Sequence, residues 1–324
     1  MTTRREFLSL AGGAFAMPAF ARLGHAQDKW PTRAIRAMVP FGAGSSIDVV
    51  GRIVFDPMSR DLGQSIVVDN RGGAGGSIGS SLVARAEPDG YTILVNASAH
   101  SAAPAAFPNI NYDPAADFTG VAMIGTVPNV TLVSASSGIK SLDELVARAK
   151  KSKLTFSSAG VGSATHWAVE RFRLSAGFEA THVPFKSGPE ATTAVMTGRV
   201  DFCCMGISSA LSFINEKKVV PLAVSTPKRS SALPDIPTTL EAGYKDSDYS
   251  FWMGILAPAK VPRPIVERLR EATLKALEEP MVQKRFKPQG IEPMPLTIDE
   301  FNALIRREIQ ANKELVKAAG LKFG

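Results

Sequence analysis

The 324-residue chain contains only two cysteines, four histidines and 7% aromatic residues. It has no run of five or six Lys or Arg, no phosphate-gripping GxxxxGK[ST] and no GxSxG elbow. Each absence removes a class of function. The cysteines are the neighbours Cys203 and Cys204; adjacent strand residues face opposite ways and a vicinal bridge needs a distorted peptide, so two buried free thiols are expected. His25, His100, His166 and His182 show no HxxxH-like spacing and no CxxC accompanies them, so neither a metal nor another cofactor is expected. The basic residues are scattered singly, and a net charge of +7 without aromatic interleaving is no nucleic-acid surface. No segment approaches ~20 uninterrupted apolar residues, so the mature chain is not itself membrane-spanning.

What is present is an apolar fraction of 45% with 21% charged residues, enough to fill the cores of two ordinary domains. The first 26 residues differ in kind. Arg4-Arg5 leads an Ala/Leu/Phe/Gly-rich stretch that ends at Gly24-His25-Ala26, where small residues suit signal peptidase. "TRREFL" is similar to the twin-arginine export consensus, with Arg4, Arg5, Phe7 and Leu8 matching. Cleavage near Ala26 and a periplasmic mature chain starting near Gln27 are expected.

Short apolar runs then alternate with amphipathic segments. "AIRAMVPF" reads as strand and "IDVVGRIVFDPMSRDLG" as helix, because Val50, Ile53, Val54, Met58 and Leu62 recur at helical spacing and Gly63 stops them. "SIVVDN", the glycine loop "RGGAGGS", the helix "IGSSLVARAE" and the strand "YTILVN" follow. A second series runs from "TLVS" through "SLDELVARAKK", "LTFSS", "ATHWAVERFRLSAG", "HVPF", "PEATTAVMTGR", "VDFCCM" and "VVPLAVS". After "SFWMGILAP" come two C-terminal helices, "PIVERLREATLKALEE" and "TIDEFNALIRREIQANKELVKAAG". The reading is α/β with two units, each a mainly parallel sheet flanked by helices.

Two turns carry the chemistry. "VPFGAGSSIDVVGRI" and "FSSAGVGSATH" each leave a strand through glycines and serines and enter a helix. Helix N-termini offer free backbone amides and a dipole that favours negative charge. Gly44, Gly160 and Gly162 admit close approach to the backbone, while Ser45, Ser46, Ser158 and Ser163 add hydroxyls. A small carboxylate is the natural guest. Any one such turn is also ordinary capping chemistry. Asp48 would repel an anion, so it serves such a site only by accepting from an ammonium, a bridging water or the loop itself. His166 lies one turn into its helix. Ser163 with His166 is the nearest approach to a nucleophile and base, without an evident acid to orient the histidine, so an enzyme is not expected.

The ordered set "VPFGAGSSIDVVGRI", "VVDNRGGAGGSIG", "PDGYTIL", "FSSAGVGSATH", "HVPFKSG", "TGRVD", "LPDIPTTLEAGY" and "WMGILAPAKVP" resembles the Bug receptors, periplasmic solute-binding proteins of tripartite tricarboxylate transporters. The resemblance implies a two-domain Venus flytrap that holds a carboxylated solute between the domains and delivers it to the transporter's membrane subunits, working as a monomer. The matched site positions are Phe41, Ala43, Gly44, Ser46 and Asp48 in the first loop, with Ser45 beside them, and Ser158, Gly160, Gly162, Ser163 and His166 in the second. Ser98 in "NASAH" and Phe185 complete the set. Two departures stand out: Gly44-Ser45 replaces a common glycine pair, and Phe185-Lys186-Ser187 replaces a frequent Tyr-Lys-Gly, which implies a less polar distal end. The alternation and the resemblance together give an export signal at 1–26, a first domain of 27–126 plus 251–324 and a second of 127–250, hinged where the chain crosses twice. The alternatives are an orphan receptor or sensor acting through a signalling partner and, less favoured, a hydrolase.

Overall fold

A computed structural model describes residues 30–249 and 251–319; the export-signal segment and Ser250 lie outside the described residues. The chain begins β1 (Ile35–Val39), α1 (Ser46–Leu62), β2 (Ile66–Asn70), α2 (Ser77–Ala84), β3 (Thr92–Ala97), α3 (Ala99–Ala106) and β4 (Phe118–Thr126). It continues through β5 (Asn129–Ser134), α4 (Leu142–Lys151), β6 (Leu154–Ser158), α5 (Ala164–Ala176), β7 (Ala180–Pro184), α6 (Gly188–Met196), β8 (Phe202–Gly206), α7 (Ile207–Asn215) and β9 (Val219–Val224). It returns as β10 (Trp252–Pro258), α8 (Arg263–Glu278), α9 (Pro280–Phe286), β11 (Glu292–Pro293) and α10 (Ile298–Ala319).

Two sheets result, β11-β4-β10-β3-β1-β2 and β7-β6-β8-β5-β9. Both are mixed, which corrects the mainly parallel expectation. The pairs β1–β2, β1–β3, β6–β7 and β6–β8 are parallel, whereas β10 runs antiparallel to β3 and β4, and β5 antiparallel to β8 and β9. The cause is the double crossing. β1, β3, β6 and β8 end where the two sheets meet; β5 and β10 start there, so each must run the opposite way. The crossing segments lie side by side, with the Val127 N–H donating to the Phe251 carbonyl at 2.8 Å.

Local chemistry fits these elements. Helix α1 starts at Ser45, whose hydroxyl accepts from the Asp48 N–H, and stops at Gly63 in the left-handed region, φ 68°. Between them Val50, Ile53, Val54, Met58 and Leu62 are buried. Helix α5 repeats the plan with Ser163 and Gly177. Cys203 and Cys204 are buried free thiols on β8, packed into different apolar clusters on opposite sheet faces. Burial raises both thiols, Cys204 to about 12, so neither is a thiolate near neutrality. Sequence periodicity missed β4, α3, α7, α9 and β11. The Ala-rich "AHSAAPAA" and the short "ISSALSFIN" carry weak helical stripes, and β11 pairs through two residues only.

Helix α10 closes the first domain through Glu308. Its Oε2 accepts from Ser101 Oγ at 2.5 Å and Trp252 Nε1 at 2.7 Å. Burial raises the carboxyl, and the donors from Ser101 and Trp252 offset this only in part. An acid raised by folding binds its proton more tightly in the native state. Stability therefore falls as pH climbs from the unfolded carboxyl range through the raised value. Glu308→Gln keeps an acceptor and removes the charge, so its melting temperature relative to the parent should be more favourable at pH 7.5 than at pH 4. A pH-independent difference between the two proteins would reject this account.

Candidate functional site

The ends of β1, β3, β6 and β8 converge where the sheets meet, the usual ligand position in open α/β sheets. Between them lies a cavity with about 30 Å³ of room for the centre of a water molecule, enough for about two waters. Phe41, Ser45, Ser46 and Ile47 line it from one domain together with Ala97 and Ala99. Ala159, Ser163, Ala164, Thr165, Gly188 and Ser209 line it from the other, and Phe251 from the crossing.

The two helix starts face this cavity with the same wiring. The Ser45 hydroxyl accepts from the Asp48 N–H at 3.4 Å, and the Ser163 hydroxyl from the His166 N–H at 3.3 Å. Each cap thus serves the third amide of its helix. The Val49 and Trp167 amides bond back to the Ser45 and Ser163 carbonyls. That leaves the first-turn N–H groups of Ser46 and Ile47 on α1, and of Ala164 and Thr165 on α5, with no intrahelical acceptor. All four residues line the cavity.

Asp48 does not reach the cavity. Its Oδ2 accepts from the Gly44 N–H at 2.9 Å, and its Oδ1 from Arg52 Nε at 3.0 Å and Asn70 Nδ2 at 3.1 Å. Asn70 also ties the Phe41 carbonyl at 3.0 Å. Burial alone would raise the Asp48 carboxyl, but Arg52, Gly44 and Asn70 together hold it below the usual carboxylate range. The residue braces the first loop.

The second loop is braced by histidines. His166 Nδ1 accepts from the Gly162 N–H at 3.0 Å, and its ring stacks on His182 at 3.8 Å between centroids. Ser158 Oγ lies 2.6 Å from His182 Nε2 and accepts from the Gly160 N–H at 3.1 Å. Burial, with His166 adding to it, lowers His182 to about 3 despite the nearby Glu170. His182 is therefore neutral at physiological pH. On the far side of His166, Glu170 pairs with Arg173.

Of the positions expected from sequence, Phe41, Ser45, Ser46 and Ser163 line the cavity, whereas Gly44, Asp48, Ser158, Gly160, Gly162 and His166 form the loop scaffold behind it. Ala43 is exposed. Ser98 Oγ accepts from Tyr249 Oη at 3.1 Å, beside the crossing. Phe185 lines a neighbouring groove between Gly73–Gly75 and Gly160. Sequence reasoning did not single out Thr165, Gly188, Ser209 or Phe251, although Thr165 lay inside "FSSAGVGSATH", Gly188 at the end of "HVPFKSG" and Phe251 in "SFWMGILAP".

The glycine loop after β2 proves to be a contact between domains. Gly75 has φ +60°, and a Cβ there would overlap the Val161 carbonyl oxygen. A Cβ at Gly162 would come within 2.7 Å of Ala106 and Phe107. Nearby, the Gly42 N–H reaches the Lys186 carbonyl at 3.4 Å. Backbone meets backbone, which only glycine permits.

Two outcomes follow from this geometry. Asp48→Asn should cost about 1–3 kcal/mol in unfolding near neutrality by leaving loop donors unpaired. Because the Asp48 pKa is depressed by folding, its contribution is present above the unfolded carboxyl range and lost as pH falls through the native value, so the gap to the parent should shrink in acid. Gly75→Ala and Gly63→Ala each place a side chain at positive φ, at roughly 1–2 kcal/mol, but only Gly75 faces another domain; Gly63 has nothing within 4 Å of the new Cβ. Small-angle scattering should show an increased radius of gyration for Gly75→Ala alone. Equal radii for both would mean that the Gly75 contact does not govern closure.

Comparison with known proteins agrees with this architecture. Residues 50–321 match the family model TctC, tripartite tricarboxylate transporter family receptor. BugT of Bordetella pertussis strain Tohama I is 32% identical over 303 residues, covering 91% of this chain and 92% of its own. MatC of Rhodopseudomonas palustris, solved with bound malate, is 31% identical with a TM-score of 0.84, covering 89% of this chain and 100% of its own. A second R. palustris protein, solved with adipate, is 30% identical with a TM-score of 0.86, covering 90% and 99%. With two mixed-sheet α/β domains meeting at paired helix starts, and a family match spanning most of its length, the chain belongs to the TctC family of Bug-type solute-binding receptors.

Proposed function

We propose that this receptor captures a small carboxylate in the periplasm and passes it to the membrane subunits of a tripartite tricarboxylate-type transporter. One observation carries the reading: Ser46, Ile47, Ala164 and Thr165, the residues whose first-turn amides lack an intrahelical acceptor, line one cavity from opposite domains. Backbone N–H groups at helix starts bind carboxylate oxygens without a countercharge, because the helix dipole supplies the positive potential. The hydroxyls of Ser45, Ser46 and Ser163 add adjustable partners. Phe41, Ala97, Ala99 and Phe251 make the remaining walls apolar, which suits a short aliphatic acid, and relatives solved with malate and adipate belong to that chemical class.

In this reading the mature chain starts near Gln27 and acts as a monomer, with 27–126 plus 251–324 closing on 127–250. The cavity as it stands admits only about two waters. Entry of a diacid therefore requires the domains to separate at the paired crossings, and the differential contacts of the closed form draw them together again. Asp48, Gly44, Gly160, Gly162, Ser158 and His166 hold the two loops in binding geometry rather than touching the solute. The hydrolase alternative is not favoured: Ser163 Oγ engages the His166 backbone, not its ring, and Ser158, which does contact His182 Nε2, is fully buried and away from the cavity lining.

A thermal-shift series on protein stripped of carried-over solute tests the reading, with malate, succinate, adipate, citrate, benzoate and aspartate at fixed salt. A solute at a hundred times its dissociation constant stabilises by about 2.7 kcal/mol, which raises the melting temperature by roughly 5 °C. We expect at least one acid to do so and expect no turnover of it. If no carboxylate shifts the folded protein, the reading is wrong.

A further inference from the structure

Asn129 opens β5, the first strand of the second domain after the chain crosses from the first. It is fully buried, and neither its Oδ1 nor its Nδ2 has a hydrogen-bonding partner within the protein. Among the described residues, Asn129 stands out because both polar atoms of its buried amide lack a partner. Both a donor and an acceptor withdrawn from water without compensation destabilise the closed protein, and such a group calls for an explanation.

Its position supplies one. Asn129 pairs with Gly206 across the β5–β8 ladder, so the two residues present the same face of the sheet. On that face a Cβ at Gly206 would overlap Ser46 Oγ and stand 3.2 Å from the Phe251 ring. Ser46 and Phe251 both line the cavity between the domains. The missing side chain at Gly206 thus lets the first turn of α1 reach the end of the second sheet, where Ser46 takes up that room beside the strand pair that carries Asn129. The described residues that line this cavity offer hydroxyls, aliphatic groups and aromatic rings and no side-chain amide or charge; Asn129 stands next to that lining through its strand partner Gly206.

We propose that Asn129 is a solute-contacting residue that reads a second polar group on the carboxylate. The inference rests on the receptor reading and deepens it. As the domains close around a solute, one carboxylate takes the amides at the starts of α1 and α5. The Asn129 Nδ2 then donates to an oxygen at the other end of the molecule, and its Oδ1 accepts from a hydroxyl or a water held there. The favoured class is the dicarboxylates and hydroxy acids; simple monocarboxylates leave the amide unpaired and lose affinity accordingly.

Calorimetric titration of wild type, Asn129→Leu and Asn129→Thr with malate and with the equal-length pairs succinate/butyrate and adipate/hexanoate tests this. Wild type should prefer diacid over monoacid, and Asn129→Leu should lose at least tenfold in affinity for the diacid or malate while changing less than about threefold for the monoacid. Without added acid, Asn129→Leu should melt no lower than wild type, since it removes a buried unsatisfied amide of similar volume. Should the leucine protein not fold, the strand-compatible Asn129→Thr carries the same comparison. Unchanged diacid affinity in the variants, or an equal loss for diacid and monoacid, overturns the Asn129 assignment and leaves the receptor reading standing. Wild type that binds none of these acids overturns both.

Discussion

Everything at the cleft depends on how two helices begin. A serine cap satisfies only one of the donors exposed at a helix start, and both Ser45 and Ser163 spend their hydroxyls on the third amide. The earlier amides remain as donors in a region walled largely by apolar side chains. Such groups tolerate burial only opposite an acceptor, so the same geometry that completes the fold defines what the cleft must hold. Two helices aimed from two domains make that requirement simultaneous, and closure is the state in which one acceptor-bearing solute meets both.

The charged residues around this centre keep it positioned rather than meet the solute. Asp48 is locked by Arg52, Asn70 and the Gly44 amide, so its carboxylate is engaged away from the cavity. The His166–His182 stack plays the corresponding part opposite, anchored to Gly162 and Ser158. One loop is held by a carboxylate and the other by an imidazole ring, yet both hold a glycine amide four residues before the bracing side chain on its helix, Gly44 to Asp48 and Gly162 to His166. Glycine recurs for a second reason at Gly75, where the closed domains touch through backbone. Glycine takes φ +60° there without strain, and any Cβ would keep the domains apart.

Much of this was legible before any coordinates. The stripe from Val50 to Leu62 with Gly63 beyond it gave α1, and "FSSAGVGSATH" gave the turn into α5, because capping and periodicity are local properties. The ordered motifs marked the family. Strand direction was not legible: "TLVS" and "WMGILAP" look like any buried strand, and their reversal follows from a chain that crosses twice between domains. Asp48 could equally have faced an ammonium or its own loop, and only Arg52 and Asn70, brought in from the helix and from β2, decided it. Ser209 and Asn129 carried no motif at all.

The division follows the range of the forces. Sequence alone determined the secondary structure of the strongly patterned segments, the two anion-suited turns, the buried thiols and the family, since each rests on residues within a turn or two of one another or on an ordered set of short motifs. Tertiary structure alone decided the mixed sheets, the use of the glycine loop as an interdomain contact, the bracing role of Asp48 and His166, and the unpaired amide of Asn129. These depend on atoms far apart in the chain that meet only when two domains, joined by two adjacent crossings, close over the same small space.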